Sequence, residues 1–336
     1  MRNAFGSTFD VPTGYLNTAS IGLPPAPAAA EVADAVRRWA SGLDGPTSAE
    51  PAVTTAREAF GKLLGAPVSQ IASGASVSQM VANVAGGLPA GARVLVARGD
   101  FTSLTFPFAA RGCEVTEVEL EDVPSAAAGH DLVAVSVVQS ADGRIVDLEG
   151  LREAGVPVLL DATQAVGWLP LALDWADYVV AAGYKWLMAP RGSAWLACSP
   201  AGVERAAPVA ANWWAGEDPW DSVYGLPLRL ASDARRLDIS PVWLAQYGAA
   251  ASLPYLASLD LAAVRDHNVG LADALLAGLG LPAQGSAIVS LELSSDQASR
   301  LAAAGVKSAT RAGRTRLAFH LYNTTDDVDL VLEALA

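Results

Sequence analysis

Short, continuous runs of Val, Leu and Ala punctuate the middle of this chain. Residues 93–97, 114–120, 132–138, 156–160 and 178–182 read as buried strands, with a shorter one at 71–73. Residues 192–198 fit a further strand, antiparallel where the sheet turns. Helical or loop segments separate these runs, among them a helix over 76–86. Strands alternating with helices imply a largely parallel sheet covered on both faces. Ahead of it, "YLNTASIGLPPAP" is turn-rich and irregular, and helices are expected at 28–41 and 51–64. Between residues 206 and 240 the pattern breaks into aromatic, Gly-rich sequence that fits neither helix nor strand. Helices at 241–256 and 261–279 follow. "AIVSLEL" (287–293) and "RLAFHLY" (316–322) alternate as strands of a small mixed domain. The reading is an N-terminal segment (1–30), a large α/β domain (31–245) and a small C-terminal domain (246–336).

Composition narrows the class. Of 336 residues, 52% are hydrophobic and 17% charged, which describes a globular chain with ample core. A net charge of −13 argues against nucleic-acid or anionic-membrane partners. The exception is local, the basic cluster "RAGRTR" at 311–316, either a solvated loop or a strand start whose arginine binds a carboxylate. Cys113 and Cys198 make neither a disulfide framework nor a metal spacing. No signal-like N-terminus and no apolar run of 18 residues is present, so a cytoplasmic setting is expected.

Four features line up in one order. In "IASGASVSQM" (71–80) a strand, Gly74 and small residues precede a helix, an arrangement whose backbone N–H groups can cradle an anion. In "VLLDATQAVG" Asp161 follows an apolar strand and either points into the crevice beyond the sheet or caps a helix. Lys185, in "AAGYKWLMAPRG", follows the next strand, and a lysine is seldom buried without a partner. Arg316 starts a late strand and offers a fork for a substrate carboxylate. An anion cradle, an acid for a ring nitrogen and a lysine for an aldehyde are together what pyridoxal 5'-phosphate requires.

These residues resemble the class V aminotransferases, the fold-type I group that includes cysteine desulfurases, kynureninases and isopenicillin N epimerase-like enzymes. The likeness runs from "YLNTASIG" to "FHLYNTTDDVD", and "DATQAVG" with "AGYKWL" is its most specific part. It implies a mostly parallel seven-stranded sheet flanked by helices, a small α+β domain and bound pyridoxal phosphate. Lys185 matches the Schiff-base lysine, Asp161 the acid at the ring nitrogen and Gln164 the glutamine at the phenolic oxygen. Ala75 and Ser76 match the phosphate-holding turn, and Tyr184 falls where many relatives place a phosphate-binding histidine. Phe101 resembles the aromatic residue stacked on the ring. Ser240, in "LDISP", matches the segment that reaches a neighbouring subunit's phosphate, which implies a homodimer with shared sites. Arg316 matches the carboxylate clamp, and Asn17 and Ser20 lie in the segment that lines the substrate pocket.

The departures carry information too. Desulfurases bear a reactive cysteine shortly before the arginine strand, and residues 305–315 contain none. Where desulfurases stack a histidine on the ring, this chain has Phe101 or Thr102. Ser140 stands where relatives often have an asparagine touching the cofactor, and Ala182 where a small hydroxyl residue is usual; both point to looser cofactor binding. "NWWAGE" is similar to a tryptophan-containing kynureninase segment, although core or interface packing explains Trp213, Trp214 and Trp220 as well. His320 reads as a satisfied core histidine. The resemblance implies an enzyme acting on an amino acid joined to the cofactor through its amino group. Transamination is the simplest outcome, and a lyase that expels sulfur or another Cβ leaving group in a biosynthetic pathway is the alternative. A non-catalytic cofactor-binding regulator is the less favoured alternative: the substitutions at Ser140 and Ala182 allow it, but no DNA-binding module or basic helix accompanies the fold. An oxidoreductase would need a G-x-G-x-x-G turn, and none occurs at a strand–helix junction.

Overall fold

The buried runs assemble into one seven-stranded sheet in the computed structural model, which describes residues 1–336. An antiparallel hairpin, β1 (Arg2–Ala4) and β2 (Ser7–Phe9), opens the chain, followed by α1 (Ala26–Ala40) and α2 (Glu50–Leu64). The large layer then runs β3 (Ile71–Gly74), α3 (Val77–Gly87), β4 (Arg93–Ala97), α4 (Thr102–Arg111), β5 (Glu114–Val118) and α5 (Val123–Ala126). It continues through β6 (Leu132–Ser136), α6 (Leu148–Glu153), β7 (Val158–Asp161), β8 (Tyr178–Ala182), β9 (Ala194–Cys198) and α7 (Pro200–Arg205).

Sheet order is β3-β9-β8-β7-β6-β4-β5. The pairings from β5 across to β8 are parallel, while β9 runs antiparallel to both β8 and β3. Alternation along each strand feeds two cores. Leu95, Val133, Val135, Leu160 and Val179 face one side, and Val94, Val96, Leu132, Leu159 and Val180 the other. Only the outer strand β5 is wet, and its exposed Glu114 and Glu117 mark it as an edge. Strand order reverses between β4 and β6, which opens a crevice at their C-terminal ends.

The last third holds α8 (Trp243–Ala257), α9 (Leu261–Gly278), β10 (Ile288–Leu291), α10 (Ser295–Ala303), β11 (Ala309–Arg311), β12 (Arg314–Ala318) and α11 (Thr325–Leu335). A three-stranded antiparallel sheet, β10-β12-β11, packs with α9 and α11 through Leu275, Leu317, Phe319 and Val331. Helix α8, most of which follows residue 245, packs on α1 and α2 instead. Tyr247 joins Ala35, Ala49 and Ala52 there.

Several strand expectations need correction: those at 132–138 and 287–293 end at Ser136 and Leu291. The strand read at 316–322 ends at Ala318: His320 and Asn323 close a turn, with the His320 N–H donating to Asn323 Oδ1 at 2.8 Å. Phe319, His320, Leu321 and Tyr322 are all fully buried, so the apparent alternation was not that of a one-sided strand. The run at 114–120 likewise ends at Val118. His320 is a core residue. Its Nε2 lies 3.0 Å from the Trp186 carbonyl, and burial pushes it down to about 3. No helix is long and apolar enough to cross a membrane.

Candidate active site

A cleft of about 260 Å³ opens at the C-terminal ends of β6, β7 and β8. Ser136 ends β6, Asp161 ends β7 and Ala182 ends β8, while Ala75 to Ser78 bring the start of α3 to the opposite wall. Phe101, Ser140, Gln164, Tyr184 and Lys185 complete most of the lining. Each of these strand ends carries a small or polar residue into the cleft, with a helix after β3 and only turns after β7 and β8.

Lys185 lies three positions past β8, where the chain doubles back toward Pro190. The loop 17–22 lies over it: the Gly22 N–H donates to the Tyr184 carbonyl at 2.9 Å, and a Cβ on Gly22 would stand 1.8 Å from the Lys185 carbonyl oxygen. Only glycine permits that approach. Lys185 Nζ has no acid at ion-pair distance and sits 5.2 Å from the centre of the Phe101 ring and 5.9 Å from that of Tyr184. Burial pushes its amine down to about 8, with Asp161 opposing and Arg316, Arg311 and Arg191 assisting.

Asp161 is buried, and its Oδ1 accepts from the Thr163 N–H at 2.8 Å. Burial pushes it up to about 6 despite that bond and the pull of Lys185; Asp100 adds to the rise. Asp100 lies in the crevice at the strand reversal. It accepts from the Phe101 N–H at 2.7 Å, from the Ser136 N–H at 2.8 Å and from Ser136 Oγ at 2.5 Å. Its buried carboxylate therefore ties the residue after β4 to the end of β6, and burial raises its pKa.

On β12 of the three-stranded sheet, Arg316 is 1% exposed. Its Nη1 donates to the Ser140 carbonyl at 2.5 Å and to Ser140 Oγ at 3.0 Å, and its Nη2 to Ser20 Oγ at 2.8 Å. Asn17 lies in the same segment as Ser20, bridged to Ala318, with its buried Oδ1 unpartnered. The Gln164 amide is committed to the protein: Nε2 donates to Ala19 O at 3.0 Å and Ser140 Oγ at 2.9 Å, and Oε1 accepts from Trp186 Nε1 at 2.7 Å. Ser240 is outside the cleft and exposed. Its segment is anchored nearby, since Asp238 accepts from the Ser73 N–H at 2.7 Å and from Arg57 Nη2 at 2.5 Å.

The donor set fits pyridoxal phosphate. Gly74 packs so closely that a Cβ would meet Met80 Sδ at 2.2 Å and Gln79 Oε1 at 2.3 Å. Beside that turn stand the hydroxyls of Ser76 and Ser78 and the buried, unpartnered Nε2 of Gln79. An amine without a protein partner and a carboxylate at a strand end complete the requirement. Sequence reading missed Asp100, Thr163, Ser78, Ser103 and Arg191, which also belong to this neighbourhood. "GDFTS" is the local signal for Asp100, an acid between a strand and a helix start.

The aminotransferase class-V family model matches residues 44–299. A Bacillus subtilis (strain 168) protein described as the uncharacterized aminotransferase YcbU is 28% identical over 316 residues, spanning 84% of this chain and 82% of its own. Isopenicillin N epimerase of Streptomyces clavuligerus is 28% identical over 252 residues, 65% of this chain and 62% of the epimerase. Among solved structures, the cystine C-S lyase C-DES in complex with cysteine persulfide superposes with a TM-score of 0.85 at 17% identity, over 96% of this chain and 97% of that one. Cysteine desulfurase from Thermococcus onnurineus NA1 does so with a TM-score of 0.82 at 19% identity, over 96% and 93%. With the family model spanning more than two thirds of its length, the chain belongs to the class-V aminotransferases, fold-type I enzymes that work with pyridoxal 5'-phosphate.

Proposed function

We propose that this protein is a pyridoxal-phosphate enzyme acting on an amino acid, with Lys185 as the residue that carries the cofactor and moves the substrate's proton. The observation behind the reading is the buried Lys185 amine, without a protein partner, in the same cleft as Asp161 and the Ala75–Ser78 turn. When bound, the cofactor supplies an electron-accepting ring that weakens the bonds at the substrate's α-carbon. Asp161 holds the ring nitrogen's proton, positioned by Thr163. Backbone at Ala75 and the hydroxyls of Ser76 and Tyr184 hold the phosphate, Phe101 covers one ring face, and Ser140 and Gln164 border the phenolic side. Arg316 grips the α-carboxylate, with Ser20 and Asn17 beside it. Lys185, pushed down to about 8, gives up its proton more readily than an ordinary lysine and serves as the base that takes and returns the α-proton.

Transamination is the outcome that needs no further acid. Cβ elimination is the second reading, supported by the fold likeness to a cystine C-S lyase. A persulfide carried on a cysteine is left out, because β11 and β12 are joined by a tight turn without one. We include a homodimer with shared sites in the proposal. Ser240 is exposed away from its own cleft, and Val242, Trp243 and Leu244 follow it with 41%, 36% and 36% of their surfaces open.

Borohydride reduction of the coloured protein followed by peptide mass spectrometry should put the cofactor's mass on Lys185. A label elsewhere, or turnover by Lys185→Ala, sinks the assignment. Bleaching by an amino acid with release of the keto acid that keeps its whole side chain, and no ammonia, marks transamination; release of a thiol together with ammonia marks the lyase. Mixed Lys185→Ala and Ser240→Ala chains should recover activity as subunits exchange; failure despite demonstrated exchange removes the shared site.

A further inference from the structure

Two arginines stand beside this cleft, behind its lining residue Ser140, without acids to match them. Most arginines of the chain sit in ion pairs, such as Arg2 with Asp327 and Arg57 with Asp238. Arg316 and Arg311 have no carboxylate at ion-pair distance and meet instead on one hydroxyl. Ser20 Oγ lies 2.8 Å from Arg316 Nη2 and 3.4 Å from Arg311 Nη2. Those two distances put the guanidinia within reach of a single bridging small molecule. Holding two like charges so close, one of them buried, is unfavourable until an anion enters. Arg316 pays for it by losing some of its grip on its proton, drawn down to about 10 by burial first and by Arg311 second.

One fork is enough for one carboxylate, because a guanidinium binds it through two parallel N–H bonds. With Arg316 buried against Ser140 and Ser20 at the edge of the cleft, Arg311 is surplus to an ordinary α-amino acid. It is also held firmly. Arg311 and Arg314 are register partners across β11 and β12, and Ala312 and Gly313, with φ of 47° and 76°, close a two-residue turn between them. Arg311 Nη1 donates to the Thr310 carbonyl at 2.8 Å, which steadies the side chain on the exposed side of the site.

We propose that Arg311 recognises a second anionic group on the substrate, so that the enzyme acts on amino acids whose side chain carries a carboxylate or an equivalent anion. This rests on the assignment of Arg316 to the α-carboxylate.

The test titrates holoenzyme with L-glutamate and L-aspartate against L-glutamine and L-asparagine, following cofactor absorbance. Glutarate, which has no amino group, is titrated by calorimetry. The acids should bind about tenfold more tightly than their amides, the worth of one charge-assisted bond at a partly open site. Arg311→Ala should bring that ratio close to one and weaken glutarate by about the same factor, and Arg311→Lys should restore part of it. Arg316→Ala should weaken acids and amides alike. Equal binding of acids and amides by the wild type overturns the proposal, as does an Arg311→Ala loss that is the same for both. If no amino acid changes the absorbance but glutarate binds through Arg311, the anion site stands and the amino-acid chemistry proposed above falls. If glutarate does not bind either, both fall.

Discussion

Replacing Lys185 with methionine should stabilise the cofactor-free protein. The side chain is 6% exposed and its amine finds no acid at ion-pair distance. Its pKa falls from the ordinary 10.5 to about 8, mainly through burial. A depression of that size is worth about 3 kcal/mol, carried by the folded state while the amine is charged. Methionine keeps an unbranched stem in the same space and removes the charge. That figure is already net of the attraction to Asp161, which opposes the depression. The expectation for Lys185→Met is therefore a gain of about 3 kcal/mol at pH 7. The sign of the pH dependence follows from the depressed value. Below pH 8 both folded and unfolded chains hold the proton, and the cost is complete. Between pH 8 and 10.5 the folded chain releases it first, so wild-type stability rises and the gap closes. Both proteins, stripped of cofactor with hydroxylamine, would be unfolded in urea at pH 7, 8.5 and 10, following tryptophan fluorescence. A wild type as stable as the variant at pH 7, or a gap indifferent to pH, would refute the claim that this ammonium is desolvated without compensation.

Three further outcomes follow from other contacts. Arg316→Ala should weaken amino-acid binding about a hundredfold, the scale of a buried charged contact, while cofactor content measured by absorbance stays intact; normal binding would remove Arg316 as the clamp. Arg57→Ala leaves the Asp238 carboxylate buried and unpaired, so it should cost about 3–5 kcal/mol in urea unfolding; a loss under about 1 kcal/mol would mean that water replaces the arginine. Gly22→Ala forces the loop off the Lys185 carbonyl. It should release cofactor on gel filtration and lower turnover, and near-wild-type kinetics would show that the loop does not need that approach.

Some of this site was legible because its logic is local. Asp161 closes an apolar strand and Lys185 follows the next one, so adjacent parallel strands had to bring them to one end of the sheet. Gly74 and Ser76 likewise announce a strand, a turn and a helix within ten residues. What stayed hidden depends on contacts between distant segments. Asp100 matters because β4 pairs with β6 rather than with the strand before it, and no pattern near residue 100 reports that order. Gln164 lines the cleft as expected, but the N-terminal loop and Trp186 take up its amide. The helices α10 and α11 are not among the expected elements, although a capping box begins α10 at Ser294 and Asp327 accepts from the Thr324 N–H at the start of α11. Arg311 shows the limit most clearly. In sequence it is one residue of a basic cluster that a solvated loop would explain. Only a two-residue turn in one domain and Ser20 at the far end of the chain place its charge beside Arg316. Residues that make the cofactor's chemistry possible follow the sheet's own order and can be read from it. Residues that select the substrate come from whichever segments fold over the strand ends, and their partners are set by tertiary contact.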